Sequence, residues 1–392
     1  HAGHARARGV DAERRAEGQA LESAGEAMTA PTPGRPVAPP KAGPKAPPVV
    51  APPVSLSDLV TTGEDRGETP PAVAVVHGGR GLGKTSLGGL APKAIVLAVE
   101  DPDLVPLPLT VPRLVVTTAD EARELAEGAP EPGDEGARRQ QMKRHRLVWV
   151  RTMQRLMMLR DQPHDYRVLV IDTVDALEPC CHAYCCIRDE QPRINATTKL
   201  YGYHEGYKIA AEEFRVFSQL CQDLKRKRGM TVFQVAHSAS RAVKDATMPD
   251  HEKQAVKLHK HAADLLCDDA DAVLFVRKES ELWADGSGDA VRMKIRQKQR
   301  TICNTRVGDG WDAKNRLFLP DPLPVFSWAG WVMAVKEGQR VKTALLAKLD
   351  AMPIEERYRA EEKLDETGWA VDTAREIMGE TMTATNEGDQ ES

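Results

Sequence analysis

The densest chemistry in the chain lies in HGGRGLGKTS, residues 77–86. Gly78, four residues, then Gly83, Lys84 and Thr85 give the spacing of a phosphate-binding loop. Gly78, Gly79, Gly81 and Gly83 let the backbone turn tightly, so that successive N–H groups face one anion; Arg80, Leu82 and Ser86 complete the stretch. Lys84 supplies a point charge for the β- and γ-phosphates of a nucleotide, and Thr85 a hydroxyl for Mg²⁺. The implied ligands are ATP and Mg²⁺.

Other residues fit the same chemistry. VLVID (168–172) is four apolar residues closing on Asp172, the pattern of a carboxylate that supports a nucleotide-bound metal. AIVLAVED ends in Glu100 and Asp101, and Glu100 is placed to polarise a water in line with the γ-phosphate. His237 closes TVFQVAH, where a polar tip can sense the nucleotide. In WDAKNRLFLP, Lys314 and Arg316 are one residue apart and on a strand point the same way, as a pair reaching a neighbouring subunit's phosphate would.

These groups need a scaffold. Short Val/Ile/Leu runs at 72–76, 94–100, 113–118, 167–172, 231–237 and 271–277 alternate with helical patterning, strongest around 137–160 and 207–228. That alternation predicts a parallel sheet covered on both faces. Residues 290–297, 300–306 and 325–335 read as an antiparallel extension, 128–137 as a surface loop, and 336–380 as helical. The expected organisation is a proline-rich segment over 1–70, an α/β core over 71–335, and a helical extension over 336–392 ending in a disordered acidic tail that contains Glu387, Asp389 and Glu391. Met28 is the first methionine and is read as the native start, with 1–27 an upstream artefact.

The chain has 392 residues, with 54 Lys and Arg against 58 Asp and Glu, for a formal charge of −4. Overall charge therefore does not advertise a nucleic-acid binder, and such a reading rests on local patches. No run spans a membrane and no secretory signal is present, so the expected location is the cytoplasm. Seven cysteines, several adjacent, suit a reducing compartment. CCHAYCC (180–186) crowds its thiols into two helical turns rather than two separated segments, which favours buried small residues over zinc.

Taken together, the loop at 78–85, VLVIDTVDALEP (168–179), YGYHEGYK (201–208), RGMTVFQVAHS (228–238), KLHKHAADLLCDDADAVLF (257–275) and WDAKNRLFLP (311–320) resemble the phage RecA-like ATPases linked to single-strand annealing and recombination. The resemblance implies a RecA-like P-loop NTPase core and an ATPase stimulated by single-stranded DNA in the bacterial host's cytoplasm. It also implies a ring or filament of identical subunits and a single-strand-binding protein as a further partner. It makes Glu100 the catalytic carboxylate, His237 the sensor, and Lys314 and Arg316 cations acting in trans. His204-Glu205 departs from the family, standing where a Gly-Lys sequence is expected.

The resemblance places two DNA loops after the metal-site and sensor strands. The first, within 178–208, carries Lys199, Tyr201, Tyr203, Tyr207 and Lys208, aromatics interleaved with cations as base stacking requires. The second, about 238–261, carries Arg241, Lys244, Lys253, Lys257 and Lys260. Two other functions fit the same motifs: a helicase or helicase-loader motor, and an assembly switch that binds ATP with little hydrolysis. No separate loader domain is visible, and Glu100 argues against the switch.

Overall fold

A computed structural model describes residues 70–99, 107–108, 110–116, 134–243, 250–285, 292–367 and 369–379. The 1–69 segment, Glu100, Asp101, Lys244 and the acidic tail lie outside these residues, as does most of the expected 128–137 loop. The described residues all fall within one unit, Gly63–Ser392.

The apolar runs form the strands β1 (Val73–Gly78), β2 (Ala94–Ala98), β3 (Arg113–Val115), β4 (Val168–Asp172), β5 (Thr231–Val243) and β7 (Ala272–Asp285). With β6 (His251–Val256), β8 (Arg292–Asn304) and β9 (Lys314–Asn315) they make one sheet of order β3-β2-β4-β5-β1-β7-β8, with β6 on β5 and β9 on β7. The pairings from β3 to β7 are parallel, whereas β8, β6 and β9 pair antiparallel. An α/β fold with a mainly parallel sheet and an antiparallel extension is what the sequence led us to expect.

Alternation along the strands sends side chains to two faces. Val73, Val75, Leu169 and Ile171 face one layer, with Trp149 and Leu156 of α2 (Asp134–Asp161), Leu177 of α3 (Val174–Arg188), Phe214 and Phe217 of α4 (Glu205–Arg228), and Leu266 of α5 (Lys260–Asp269). Val76, Val96, Val170 and Phe233 face the other, against Leu87 of α1 (Lys84–Gly89) and Trp331 of α6 (Trp328–Ala351). Strands buried on both faces explain why these runs are continuously apolar.

Three expectations change. Residues 325–335 are not a strand, because Ser327 caps α6, its hydroxyl accepting the Gly330 N–H at 3.1 Å. A continuous apolar run fits a buried strand or a buried helix equally, and here the cap decides. Residues 134–137 are the first turn of α2, not loop. The expected core boundary at 335 falls inside α6, whose later residues Val341 and Leu345 pack with Leu364 of α7 (Ile354–Glu366) and Val371 of α8 (Val371–Met378).

Candidate nucleotide site

Gly78 and Asp172 close the carboxyl ends of β1 and β4, and His237 lies level with Gly78 on β5; it does not close that strand, because β5 runs on past the parallel sheet to Val243, paired there with β6. Gly78 is in register with His237, and Asp172 with Val235. Open α/β sheets bind ligands at this edge. A Cβ at Gly78 would lie 2.2 Å from the Val276 carbonyl oxygen, so β1 can approach β7 there only as glycine. Gly83, at φ 79°, takes the left-handed turn that delivers the chain into α1. Gly79, Arg80 and Gly81 are exposed at the loop tip, Leu82 packs on the core beneath it, and Ser86 is half-buried.

Lys84 is buried, and its ammonium donates to the carbonyls of Gly78 at 3.1 Å and Gly79 at 2.6 Å. Burial lowers its pKa, while Asp172 and Asp175 hold the charge in place. Thr85 Oγ1 donates to Asp172 Oδ2 at 2.9 Å, joining residues 87 positions apart. A hydroxyl and a carboxylate side by side form the hard oxygen set that suits Mg²⁺, so these two residues fit the metal the motif implies.

His237 is tied to a residue the sequence reading passed over. Asp175, in the first turn of α3, accepts the His237 backbone N–H at 3.0 Å and its Nδ1–H at 2.9 Å. That fixes the ring and leaves Nε2 without a hydrogen-bond partner among the described residues. One turn further along α3, Glu178 Oε1 accepts the His259 N–H at 2.6 Å. Burial pushes the Glu178 carboxyl up to about 7, with Asp175 adding to the rise and the His259 N–H and Arg241 opposing it. Asp175 and Glu178 share one helix face at i, i+3, a spacing visible in VDALEP.

His77 was also passed over. It is fully buried, with Nε2 donating to the Asp312 carbonyl at 2.8 Å and Nδ1 accepting from Ser238 Oγ at 2.9 Å. Burial pulls its pKa down to about 4, so the ring is a neutral link from β1 to Ser238 of β5 and the Asp312 carbonyl.

The expected DNA residues divide. Tyr201 is fully buried, its hydroxyl donating to Asp189 at 2.9 Å, and it is core rather than a base platform. Arg241 donates to the carbonyls of Val256 and Leu258, clamping the β5–β6 hairpin. Lys253 pairs with Asp312 at 2.6 Å. The expected second loop is thus largely this hairpin. Lys314 Nζ donates to the carbonyls of Cys267 at 2.8 Å and Asp268 at 2.7 Å, holding the end of α5 in its own chain. Its ammonium is committed there rather than free to reach a neighbour. β9 covers only Lys314–Asn315, and Arg316 remains exposed.

The others lie nearer solvent. Tyr207 stacks on His259 at 4.0 Å between centroids and 7° between planes. Tyr203 is fully exposed, and Lys199, Lys257 and Lys260 are exposed as well. Lys208 is exposed in an ion pair with Glu205 at 2.7 Å. Cys180, Cys181, Cys185 and Cys186 are buried on α3; burial pushes the Cys180 thiol up to about 12 and Cys186 to about 11, so both stay protonated core groups. Among the described residues no helix is long and apolar enough to cross a membrane.

Residues 71–317, more than half of the chain, match the model of a family described as the AAA domain. No curated protein matches the chain.

Proposed function

Since this chain belongs to the AAA domain family, which is ATPase-like and nucleotide-binding, we propose that it hydrolyses ATP with Mg²⁺ and uses the cycle to bind and anneal single-stranded DNA. Lys84 and the loop N–H groups would bind the phosphates, and Thr85 with Asp172 would hold the metal. Mg²⁺, when bound, neutralises charge on the phosphates. Asp175 holds His237 in one orientation beside the loop. Glu100 remains the proposed general base, and Arg316 the proposed cation contributed between subunits.

One observation carries the DNA reading. A single turn of α3 holds His237 through Asp175 and the His259 segment through Glu178. His259 stacks on Tyr207, and Lys257 and Lys260 are exposed on the same segment. A shift of His237 on nucleotide binding would reach the stacked pair through one rigid helical turn. An exposed aromatic such as Tyr203 and exposed cations such as Lys257 and Lys260 suit single strands, where bases stack and phosphates are neutralised.

The test is ATP hydrolysis by the full chain with and without single-stranded DNA, beside Lys84→Ala. Stimulation by DNA that the variant loses supports the reading. Hydrolysis indifferent to DNA returns the stacked pair to a purely structural role.

A further inference from the structure

A groove of about 480 Å³ runs along the outer face of α2, away from the nucleotide site. Its rim is cationic, Arg139, Lys143 and Arg146, and its floor is Met142, Leu147 and Val150, closed by Ile187 at the end of α3. The α2 residues recur at i, i+3, i+4, i+7, i+8 and i+11, a single helical stripe. Arg139 pairs with Glu135 at 2.6 Å; Lys143 and Arg146 are exposed and make no ion pair among the described residues.

The outer face of α7 has the opposite character. Ile354 is 84% exposed and Tyr358 71%. At 100° per residue Glu355, Tyr358, Glu362 and Glu366 lie on the face turned away from buried Leu364, with Ile354 and Asp365 on its flank; among the described residues Arg359 is the one cation on that face, and all are exposed. Asp365 accepts the Trp369 Nε1–H; the other three carboxylates have no ion-pair partner among the described residues.

We propose that the α2 groove receives α7 from a second copy of this chain. Arg139 to Val150 and Ile354 to Asp365 are each eleven steps along a helix, about 16 Å at 1.5 Å per residue. The cations lie toward the N-terminal end of the α2 stripe and the apolar pair Leu147 and Val150 toward its C-terminal end. On α7 the order is reversed, apolar first and carboxylates after. Antiparallel docking therefore sets Ile354 and Tyr358 on Leu147, Val150 and Ile187, and Glu362 and Glu366 beside Lys143 and Arg139. The apolar floor disfavours the alternative anion, a nucleic-acid backbone, which gains little from Met142 or Val150. Two different patches meeting head to tail generate a ring or an open filament.

Sedimentation velocity on the full chain, without nucleotide or DNA, tests this independently of the ATPase. The expected result is a mass that rises with concentration. Arg139→Glu with Lys143→Glu, and separately Glu362→Lys with Glu366→Lys, should each weaken association about tenfold or more. All four changes in one chain should restore it. All these positions are exposed, and an unchanged melting temperature checks folding. A wild-type chain that stays monomeric overturns the proposal, as do reversals without effect or four changes that fail to restore association. Loss of polynucleotide retention by the α2 variant with its mass unaltered also overturns it, in favour of a nucleic-acid face.

Discussion

The phosphate loop and the β5–β6 hairpin region were both read from residue types, and they came out differently. At the loop the expected groups converge: Lys84 on the loop carbonyls, Thr85 on Asp172, His237 in register with Gly78. At the hairpin Arg241 and Lys253, expected to meet DNA, are held by Val256 and Asp312. The difference lies in what the sequence encodes. A glycine-spaced loop specifies its own backbone, whereas a lysine fits a phosphate, a carboxylate or a carbonyl equally well.

The contrast can be broken most forcefully at Lys84. Lys84→Ala should cut ATP turnover by about a hundredfold or more while leaving the melting temperature near wild type. Parallel steady-state kinetics and thermal unfolding check this, and retained turnover would detach the loop from catalysis. Gly78→Ala comes next. Its Cβ meets the Val276 carbonyl oxygen, so unfolding free energy should fall by about 3 kcal/mol in urea titrations.

Glu178 sharpens the link between the two regions. Its folded pKa of about 7 lies above the ordinary carboxylate value, so the native state binds the extra proton. Its contribution to stability is full below about 4.5 and is lost as pH rises through 7. Glu178→Gln should remove that component, narrowing the gap between urea midpoints at pH 5 and pH 8; an unchanged gap would contradict the burial argument. His77 has the opposite sign, since its depressed pKa makes stability fall as pH drops from 6.5 toward 4.

The smallest effect separates exposed cations from those already bonded within the chain. Lys257→Ala with Lys260→Ala should reduce the logarithmic salt slope of single-stranded DNA binding by about 1.4, roughly 0.7 per lost phosphate contact. Lys253→Ala, whose ammonium sits on Asp312, should leave the slope where it was. Equal slopes for both variants would erase the distinction drawn between these lysines.

Much of the fold was legible because strands buried on both faces read as short, nearly continuous apolar runs, as Val168–Asp172 and Val73–Gly78 do, repeated in alternation with helical patterning. The site was legible wherever a motif fixes backbone geometry. The 325–335 segment misled because an apolar run carries no period, and one serine hydroxyl settled it.

By itself, then, the sequence determined the glycine-spaced loop, the carboxylate closing β4 at Asp172 and the parallel sheet, because each is written in a local pattern of residue types. Only the tertiary structure decided that Asp175 orients His237, that His77 joins β1 to Ser238 and Asp312, that Tyr201 is core, and that Lys253 and Lys314 are already engaged. Those outcomes turn on which polar group lies within about 3 Å of a charged or aromatic side chain. Partners 47 or 62 positions away are brought there by packing, not by neighbouring residues.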